Sequence, residues 1–106
     1  MLGQSQPGYQ QWDWRDLGIR VGGPNLLILP DGRIAAAIRR YGKQPWTSLN
    51  WLDPVEGRLT EFLALPSGGD TSYAGLGWHE GNLWVSYYSS HEGWADIYLA
   101  RVKLPQ

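Results

Sequence analysis

The sequence contains no cysteine and no apolar run long enough to cross a membrane. Without cysteine, neither a disulfide framework nor a thiolate metal site can form. A membrane-spanning helix needs about 20 consecutive apolar residues. The polar opening MLGQSQPGYQ also lacks the charged start and apolar run of a signal peptide. We therefore expect a soluble protein without disulfides, and the sequence leaves its compartment open.

The chain also lacks an excess of charge of either sign, since 9 basic residues stand against 10 acidic ones. Proteins that bind nucleic acids or anionic membranes usually carry a clustered basic excess. We therefore expect neither a nucleic acid nor a membrane as a partner. No group of residues has the spacing of a metal site, and no motif in the sequence requires a cofactor.

Tryptophan, tyrosine, glycine and proline are abundant. The 14 glycines and 7 prolines separate short apolar runs, which is typical of an all-β chain. Residues 33–41 (RIAAAIRRY) also fit a helix because of their three alanines, but they follow the turn Asp31-Gly32, which favours the second strand of a hairpin. We predict strands at residues 12–21, 26–29, 33–41, 47–52, 58–65, 74–79, 82–89 and 95–103.

The second half of the chain repeats the first. With Gly81 placed over Gly32, 49 residues earlier, the apolar positions of three strands coincide. The aligned pairs are Leu76 with Leu27, Trp78 with Leu29, Leu83 with Ile34, Val85 with Ala36 and Tyr87 with Ile38. After deletion of one loop residue, Trp94 aligns with Trp46, Ile97 with Leu49 and Leu99 with Trp51. The alanines of residues 33–41 then lie in a strand and leave room for larger side chains from a facing sheet. A repeat of about 40 to 50 residues with short antiparallel strands is the period of a β-propeller blade.

This repeat predicts an all-β fold of two four-stranded propeller blades. Residues 1–11 form a polar N-terminal arm, and residues 12–106 form the two-blade unit. Within that unit, 12–21 is an outer strand, 26–65 is the first blade and 74–103 supplies three strands of the second blade. The second blade therefore lacks its outer strand, and residues 12–21 are an outer strand without the other three strands of a blade.

Two isolated blades would leave apolar faces and a sheet edge open. We expect a closed homo-oligomer in which residues 12–21 of one copy complete the second blade of its neighbour. A homotrimer with six blades is the first choice, and rings of two or four copies are the alternatives. A small β-sandwich and a fragment of a longer propeller also fit the strand pattern.

Two segments resemble the sialidase-like (BNR-repeat) β-propellers, in particular bacterial exo-α-sialidase-like proteins: WDWRDLGIRVGGPNLLILPDGRIAAAIRRYG and PSGGDTSYAGLGWHEGNLWVSYYSSHEGWADIYLARVKLP. They correspond to two of the family's six blades. The resemblance implies hydrolysis of terminal sialic acid by three arginines, a tyrosine nucleophile with a glutamate, and an aspartate acid. It makes Tyr73 of the phrase Tyr73-Ala74-Gly75-Leu76 the candidate nucleophile. The arginine that opens the family's first inner strand is replaced by Gly23-Pro24-Asn25, and the repeated Asp-box is absent.

Propeller topology places the loops at residues 22–25, 39–46, 67–73 and 88–94 on one face, where ligand sites normally lie. Tyr73 with Asp70 and Glu92 is a candidate catalytic set, because a phenol with a pKa near 10 needs a neighbouring carboxylate to react at neutral pH. Asp70 alternatively accepts hydrogen bonds from turn amides. A sialidase-like hydrolase that uses Tyr73 and arginines is therefore the alternative to a self-assembling module.

The same loops predict a carbohydrate-binding mouth with a glycan as candidate ligand. Arginine binds carboxylates and phosphates through its planar fork, and tryptophan stacks on sugar rings. The candidate ligand-binding residues are Arg39, Arg40, Trp46, Tyr88, His91 and Trp94. Alternatively, one of the adjacent arginines is buried and the other solvated, His91 is structural, and the repeat-equivalent Trp46 and Trp94 pack the blades. Trp14, Trp51, Trp78 and Trp84 are assigned to the core.

Overall fold

A computed structural model describes residues 1–66, 71, 74–89 and 96–104, which form antiparallel strands joined by turns. The strands are β1 (Leu2–Gln4), β2 (Asp13–Arg15), β3 (Gly22–Ile28), β4 (Ile34–Arg40), β5 (Trp46–Asp53), β6 (Arg58–Ala64), β7 (Gly75–His79), β8 (Asn82–Ser89) and β9 (Asp96–Val102). None of these residues belongs to a helix, so no helix in the described ranges has the length and apolar character to cross a membrane. The predicted all-β class is confirmed.

The strands form three sheets, and within each sheet every strand pairs with the next one along the chain. Strands β1 and β2 form a small N-terminal hairpin, β3 to β6 form a four-stranded sheet, and β7 to β9 form a three-stranded sheet. The repeat is therefore visible in the topology, because the first three strands of the larger sheet recur as the three strands of the smaller one.

The last six predicted strands, from residues 33–41 onward, differ from β4 to β9 by no more than one residue at either end. Two hairpin turns set this register. Glu80 and Gly81 join β7 to β8 with φ angles of 50° and 78°, the two positive values that a two-residue type I′ turn requires. At the equivalent turn, the Asp31 carboxylate accepts a hydrogen bond of 3.0 Å from the backbone N–H of Arg33.

The N-terminal region differs from the prediction. The strand expected over residues 12–21 is reduced to Asp13–Arg15, because the Asp16 carboxylate accepts the N–H of Gly18 at 2.8 Å and turns the chain. Residues Leu2–Gln4, within the predicted polar arm, form a strand that pairs with it. The next strand begins at Gly22 instead of residue 26, with an irregular register between Gly22 and Asn25.

The core lies between the two larger sheets. Ala35 and Ala37 of β4 are buried in one cluster with Leu83, Val85 and Tyr87 of β8. Small side chains on one sheet thus accommodate large ones from the other, as predicted. Trp51 and Trp78 pack against this cluster, as expected.

The other two tryptophans that were assigned to the core, Trp14 and Trp84, do not belong to this cluster. Trp14 is 63% exposed on the N-terminal hairpin, so its assignment to the core was wrong. Trp84 is half-buried and is not part of the cluster between the sheets.

The first strands of the two sheets, β3 and β7, are neighbours. The side-chain amide of Asn25 donates a hydrogen bond of 3.0 Å to the carbonyl oxygen of Ala74, and these residues are 49 positions apart. Since 49 is also the offset of the sequence repeat, equivalent positions of the repeat meet where the two sheets join.

Candidate functional site

One end of the two sheets carries most of the described candidate residues, and we call it the mouth end. Strand β4 finishes there at Arg40, β5 begins there at Trp46, and β8 finishes there at Ser89. The hydroxyl of Thr71 links the sheets, because it shares a hydrogen bond with the Thr47 hydroxyl and donates one of 2.8 Å to the carbonyl oxygen of Tyr88. The hairpin between β4 and β5 therefore lies beside the end of β8.

The adjacent arginines of β4 make separate contacts. Arg39 donates from Nε and Nη2 to the Tyr41 hydroxyl at 3.0 and 2.5 Å, whereas Arg40 donates from Nη2 to Asn50 Oδ1 at 2.6 Å. Successive side chains of a strand point to opposite faces, which explains the division. Both arginines are half-buried, so the alternative in which one is buried and the other solvated was wrong.

Tyr41 is the centre of a small cation–π cluster. The Arg20 guanidinium carbon lies 3.9 Å from the centroid of the Tyr41 ring, and that of Arg39 lies 5.0 Å from it. Electron-rich aromatic faces attract guanidinium groups at such distances. Sequence reasoning assigned a site role to neither Arg20 nor Tyr41, although Tyr41 directly follows the end of β4 and lies two positions after Arg39.

Arg40 and Trp46 are brought together by Glu61 of β6. The Glu61 carboxylate accepts a hydrogen bond of 2.8 Å from Trp46 Nε1 and another from the Ser48 hydroxyl. Arg40 Nε lies 3.9 Å from the same carboxylate oxygen. Sequence reasoning predicted Arg40 and Trp46 but not Glu61, which reaches them because β6 pairs with β5 and places Glu61 opposite Asn50.

Asn50 completes this polar network from inside the sheet. Its side chain is fully buried, and its amide nitrogen donates at 3.1 Å to both the carbonyl oxygen and the hydroxyl of Ser48. Its amide oxygen is the acceptor for Arg40. Among the described residues, Arg40 Nε has no hydrogen-bond partner. Arg40 therefore depends on Asn50 for its hydrogen bond and on Glu61 for charge compensation.

The carboxyl group of Glu61 is held in its charged form. Partial burial alone would raise its pKa, but the hydrogen bonds from Ser48 and Trp46 and the positive charge of Arg40 outweigh that effect. The pKa of Glu61 therefore lies below its ordinary value of 4.5. A lowered pKa in the folded state means that ionised Glu61 stabilises the fold above pH 4.5, and that this stabilisation is lost as the pH falls through the folded-state pKa.

We expect Glu61→Gln to weaken the pH dependence of stability on the acid side. Wild type should lose more free energy of unfolding than the variant as the pH falls below 4.5, because only wild type must protonate this hydrogen-bonded carboxylate. Urea unfolding at pH values from 7 down to 3 measures the difference. Glu56→Gln removes an exposed carboxylate from the nearby turn and is the charge-matched control. Parallel pH profiles for wild type and Glu61→Gln would contradict the assignment.

The ligand-binding candidates that the structure describes do not converge on one place within a chain. Arg40 and Trp46 share Glu61, while Arg39 contacts Tyr41 instead. Tyr88 is paired with the exposed Ile97 and lies on the side of the three-stranded sheet that faces away from the core. The carbohydrate-binding mouth stays a prediction.

The remaining candidates, Tyr73, Asp70, Glu92, His91 and Trp94, lie outside the described residues. The catalytic set of the hydrolase alternative therefore also stays a prediction. In the part of the chain that the structure describes, no three histidine, aspartate or glutamate side chains are grouped closely enough to hold a metal ion.

Comparison with known proteins adds no family to this description. No protein-family model matches the chain, and neither the curated proteins nor the solved structures contain a match. The resemblance to sialidase-like propellers consequently remains a hypothesis that rests on the residues quoted for it, and function has to be argued from the geometry.

Proposed function

We propose that this chain is a self-assembling β-propeller module whose two larger sheets act as blades. Copies of the chain would associate in a closed ring, and three copies would give six blades. The observation that carries this proposal is a difference in burial between positions that are equivalent in the repeat.

Leu49 and Trp51 of β5 lie on the side of the four-stranded sheet that packs against the three-stranded sheet. Leu49 is 1% exposed, and Trp51 packs against the core cluster. Their equivalents on β9 are Ile97 and Leu99, which are 81% and 67% exposed. Equivalent positions of the repeat are thus covered by a sheet in one case and open to solvent in the other.

No other sheet covers this side of the three-stranded sheet among the described residues, and we call it the open face. Its residues on β8 and β9 are Trp84, Ser86, Tyr88, Ile97, Leu99 and Arg101. In the register of β8 and β9, Tyr88 is opposite Ile97, and Trp84 is diagonal to Leu99. Opposed residues of an antiparallel pair point to the same side. Apolar side chains grouped in this way on a sheet favour association with another protein surface.

The edge of β9 supports the same proposal. Within the described ranges, β9 pairs only with β8, so the backbone groups of its outer edge offer a site for another strand. Residues 12–21 of a second copy would supply that strand. In the single chain, Asp13–Arg15 pairs instead with Leu2–Gln4, and the exchange would break this short hairpin.

The ring would be heterologous, since the open face of one copy meets a different face of the next, and such contacts close by rotation. Propellers have about 4 to 8 blades, which allows two, three or four copies of a two-blade chain. We favour three because six blades is also the number in the family that the sequence resembles.

We expect static light scattering at micromolar concentration to give a mass of about three times 12.0 kDa. Ile97→Lys should give a folded chain of about 12.0 kDa, because it places a charge beside Tyr88 on the open face, at the most exposed apolar position of β9. Val55→Lys changes an equally exposed apolar residue on a turn and should leave the assembly intact. A wild-type chain that stays monomeric, or an Ile97→Lys chain that still assembles, would refute the proposal.

A further inference from the structure

The four-stranded sheet has a second apolar side, which faces away from the three-stranded sheet. Ala36 and Ile38 of β4 and Leu52 of β5 lie on this side and are buried. Leu26 and Ile28 of β3 are paired with Ala36 and Ile34 and therefore point the same way. We call this side the acceptor face.

The N-terminal segment, residues 1–21, covers part of the acceptor face. Met1, Leu2, Leu17 and Val21 lie across from Ala36, Ile38 and Leu52 and line the same cavity with them. This cavity has a volume of about 440 Å³. The cavity is partly open to solvent, and Met1 and Leu26 in its lining are exposed, so the N-terminal segment leaves part of the acceptor face uncovered.

Other features of the segment also make it a weak cover. Its hairpin consists of two strands of three residues each, and an isolated two-stranded hairpin is marginally stable in water. Its large side chains Trp12 and Trp14 are exposed and contribute little burial. Leu26 and Ile28 remain exposed beside it, so the cover is incomplete.

The repeat indicates what belongs in this place. Ala36 and Ile38 are equivalent to Val85 and Tyr87, and in the three-stranded sheet those residues pack against the neighbouring four-stranded sheet. Val85 and Tyr87 are therefore covered by a sheet, whereas their equivalents Ala36 and Ile38 are covered only by the N-terminal segment.

We propose that the acceptor face is the docking surface for the open face of a second copy of this chain, and that the N-terminal segment is its exchangeable cover. This inference rests on the proposed ring and adds a mechanism by which the N-terminal segment regulates assembly of the ring. The interface would reproduce between chains the sheet-to-sheet contact that already exists within one chain. Docking would displace β1, and it would free residues 12–21 to pair with the edge of β9 on the incoming copy.

The test compares assembly of the full-length chain with that of a variant whose cover is weakened. Leu2 contributes to the cavity but lies outside the residues that would be exchanged, so Leu2→Asp disturbs the cover alone. Gln4→Asp adds the same charge to the same strand at an exposed position outside this cavity and is the control. Sedimentation velocity over a range of concentrations gives the concentration of half-assembly, and circular dichroism checks folding.

We expect Leu2→Asp to assemble at a concentration about tenfold below that of wild type, since the loss of one half-buried leucine from the cover has an effect of that order. Gln4→Asp should match wild type. Gly3→Val is a second, uncharged variant, because a Cβ at Gly3 would lie 2.8 Å from the Trp14 ring and displace that ring from its place against β1. It should shift assembly in the same direction, even if Leu2→Asp does not fold.

The outcomes separate the cover from the ring. If wild type assembles and both cover variants assemble at the wild-type concentration, the exchangeable cover is refuted and the ring stands. If wild type and both variants remain monomeric at every concentration, the ring itself is refuted and the cover with it.

Discussion

Leu49→Ala should lower the free energy of unfolding by about 2 to 5 kcal/mol, the range for removal of most of a buried leucine side chain without collapse of the cavity. Leu49 is 1% exposed in the core cluster between the two larger sheets. The alanines beside it on β4 are too short to fill the cavity that the truncation leaves. Because a domain of this size is stable by about 5 to 15 kcal/mol, this one change removes a large share of the total.

Leu63→Ala is the matched control for this experiment. Leu63 of β6 is the cross-strand partner of Leu49 and is 37% exposed. Its truncation should therefore lower the free energy of unfolding much less. Both variants are compared by urea unfolding at one fixed protein concentration, since association would add to the apparent stability. Equal losses for the two leucines would contradict the assignment of Leu49 to the core.

The strands from β4 onward could be predicted from the sequence because local signals and the repeat agreed. The alanines of β4 are ambiguous alone, but their alignment with the alternating residues of β8 identified a strand that faces larger side chains. The turns at Asp31-Gly32 and Glu80-Gly81 then fixed where the strands begin. Agreement between turn chemistry and periodicity is what makes such a prediction reliable.

The N-terminal region could not be predicted in this way. Residues 12–21 contain enough apolar residues for a strand, but the Asp16 carboxylate and the positive φ of Gly18, 77°, interrupt it. An Asp-x-Gly sequence gives a similar signal inside a strand and at a turn. In addition, the strand that pairs with residues 13–15, Leu2–Gln4, lies in a segment whose sequence has no strand periodicity. The assignment of Trp14 to the core failed for the same reason. Its exposure depends on the hairpin to which it belongs, and the sequence did not predict that hairpin.

The polar network at the mouth end was also only partly predictable. Arg40 and Trp46 stand out in the sequence as residues suited to ligand binding, whereas Asn50 and Glu61 look like ordinary polar residues of strands. Their roles follow from the register of β5 and β6, which shifts between Leu49 and Asn50. A one-residue change in register reverses the side to which a residue points, and the sequence does not specify this irregularity.

In the proposed assembly, the network would also affect how the acceptor face binds a second copy. Asn50 is paired with Ala36 and lies on the same side of the sheet, so the buried polar groups and the apolar acceptor face are continuous. A docking sheet would have to match both the apolar surface and the polar end beside it. The network would then restrict the register in which a second copy docks, which purely apolar contacts would leave loosely specified.

Asn50→Ala should lower the free energy of unfolding by about 2 to 3 kcal/mol, although it removes only one neutral amide. The amide oxygen accepts a hydrogen bond of 2.6 Å from the Arg40 guanidinium, whose Nε already lacks a hydrogen-bond partner among the described residues. Hydrogen bonds to charged groups contribute about 1.5 to 3 kcal/mol, and the truncation also leaves a partly buried cation without its acceptor.

Asn82→Ala is the control for loss of an amide in the same type of strand. Asn82 donates at 3.3 Å to the carbonyl oxygen of Glu80 in a solvent-exposed turn, where water can replace the bond. It should therefore cost about 0.5 kcal/mol or less, as surface substitutions usually do. Urea unfolding of both variants at pH 7 measures the difference. If Asn50→Ala were no more destabilising than Asn82→Ala, the Arg40 guanidinium would not depend on Asn50, and the network would not be the rigid element that restricts docking.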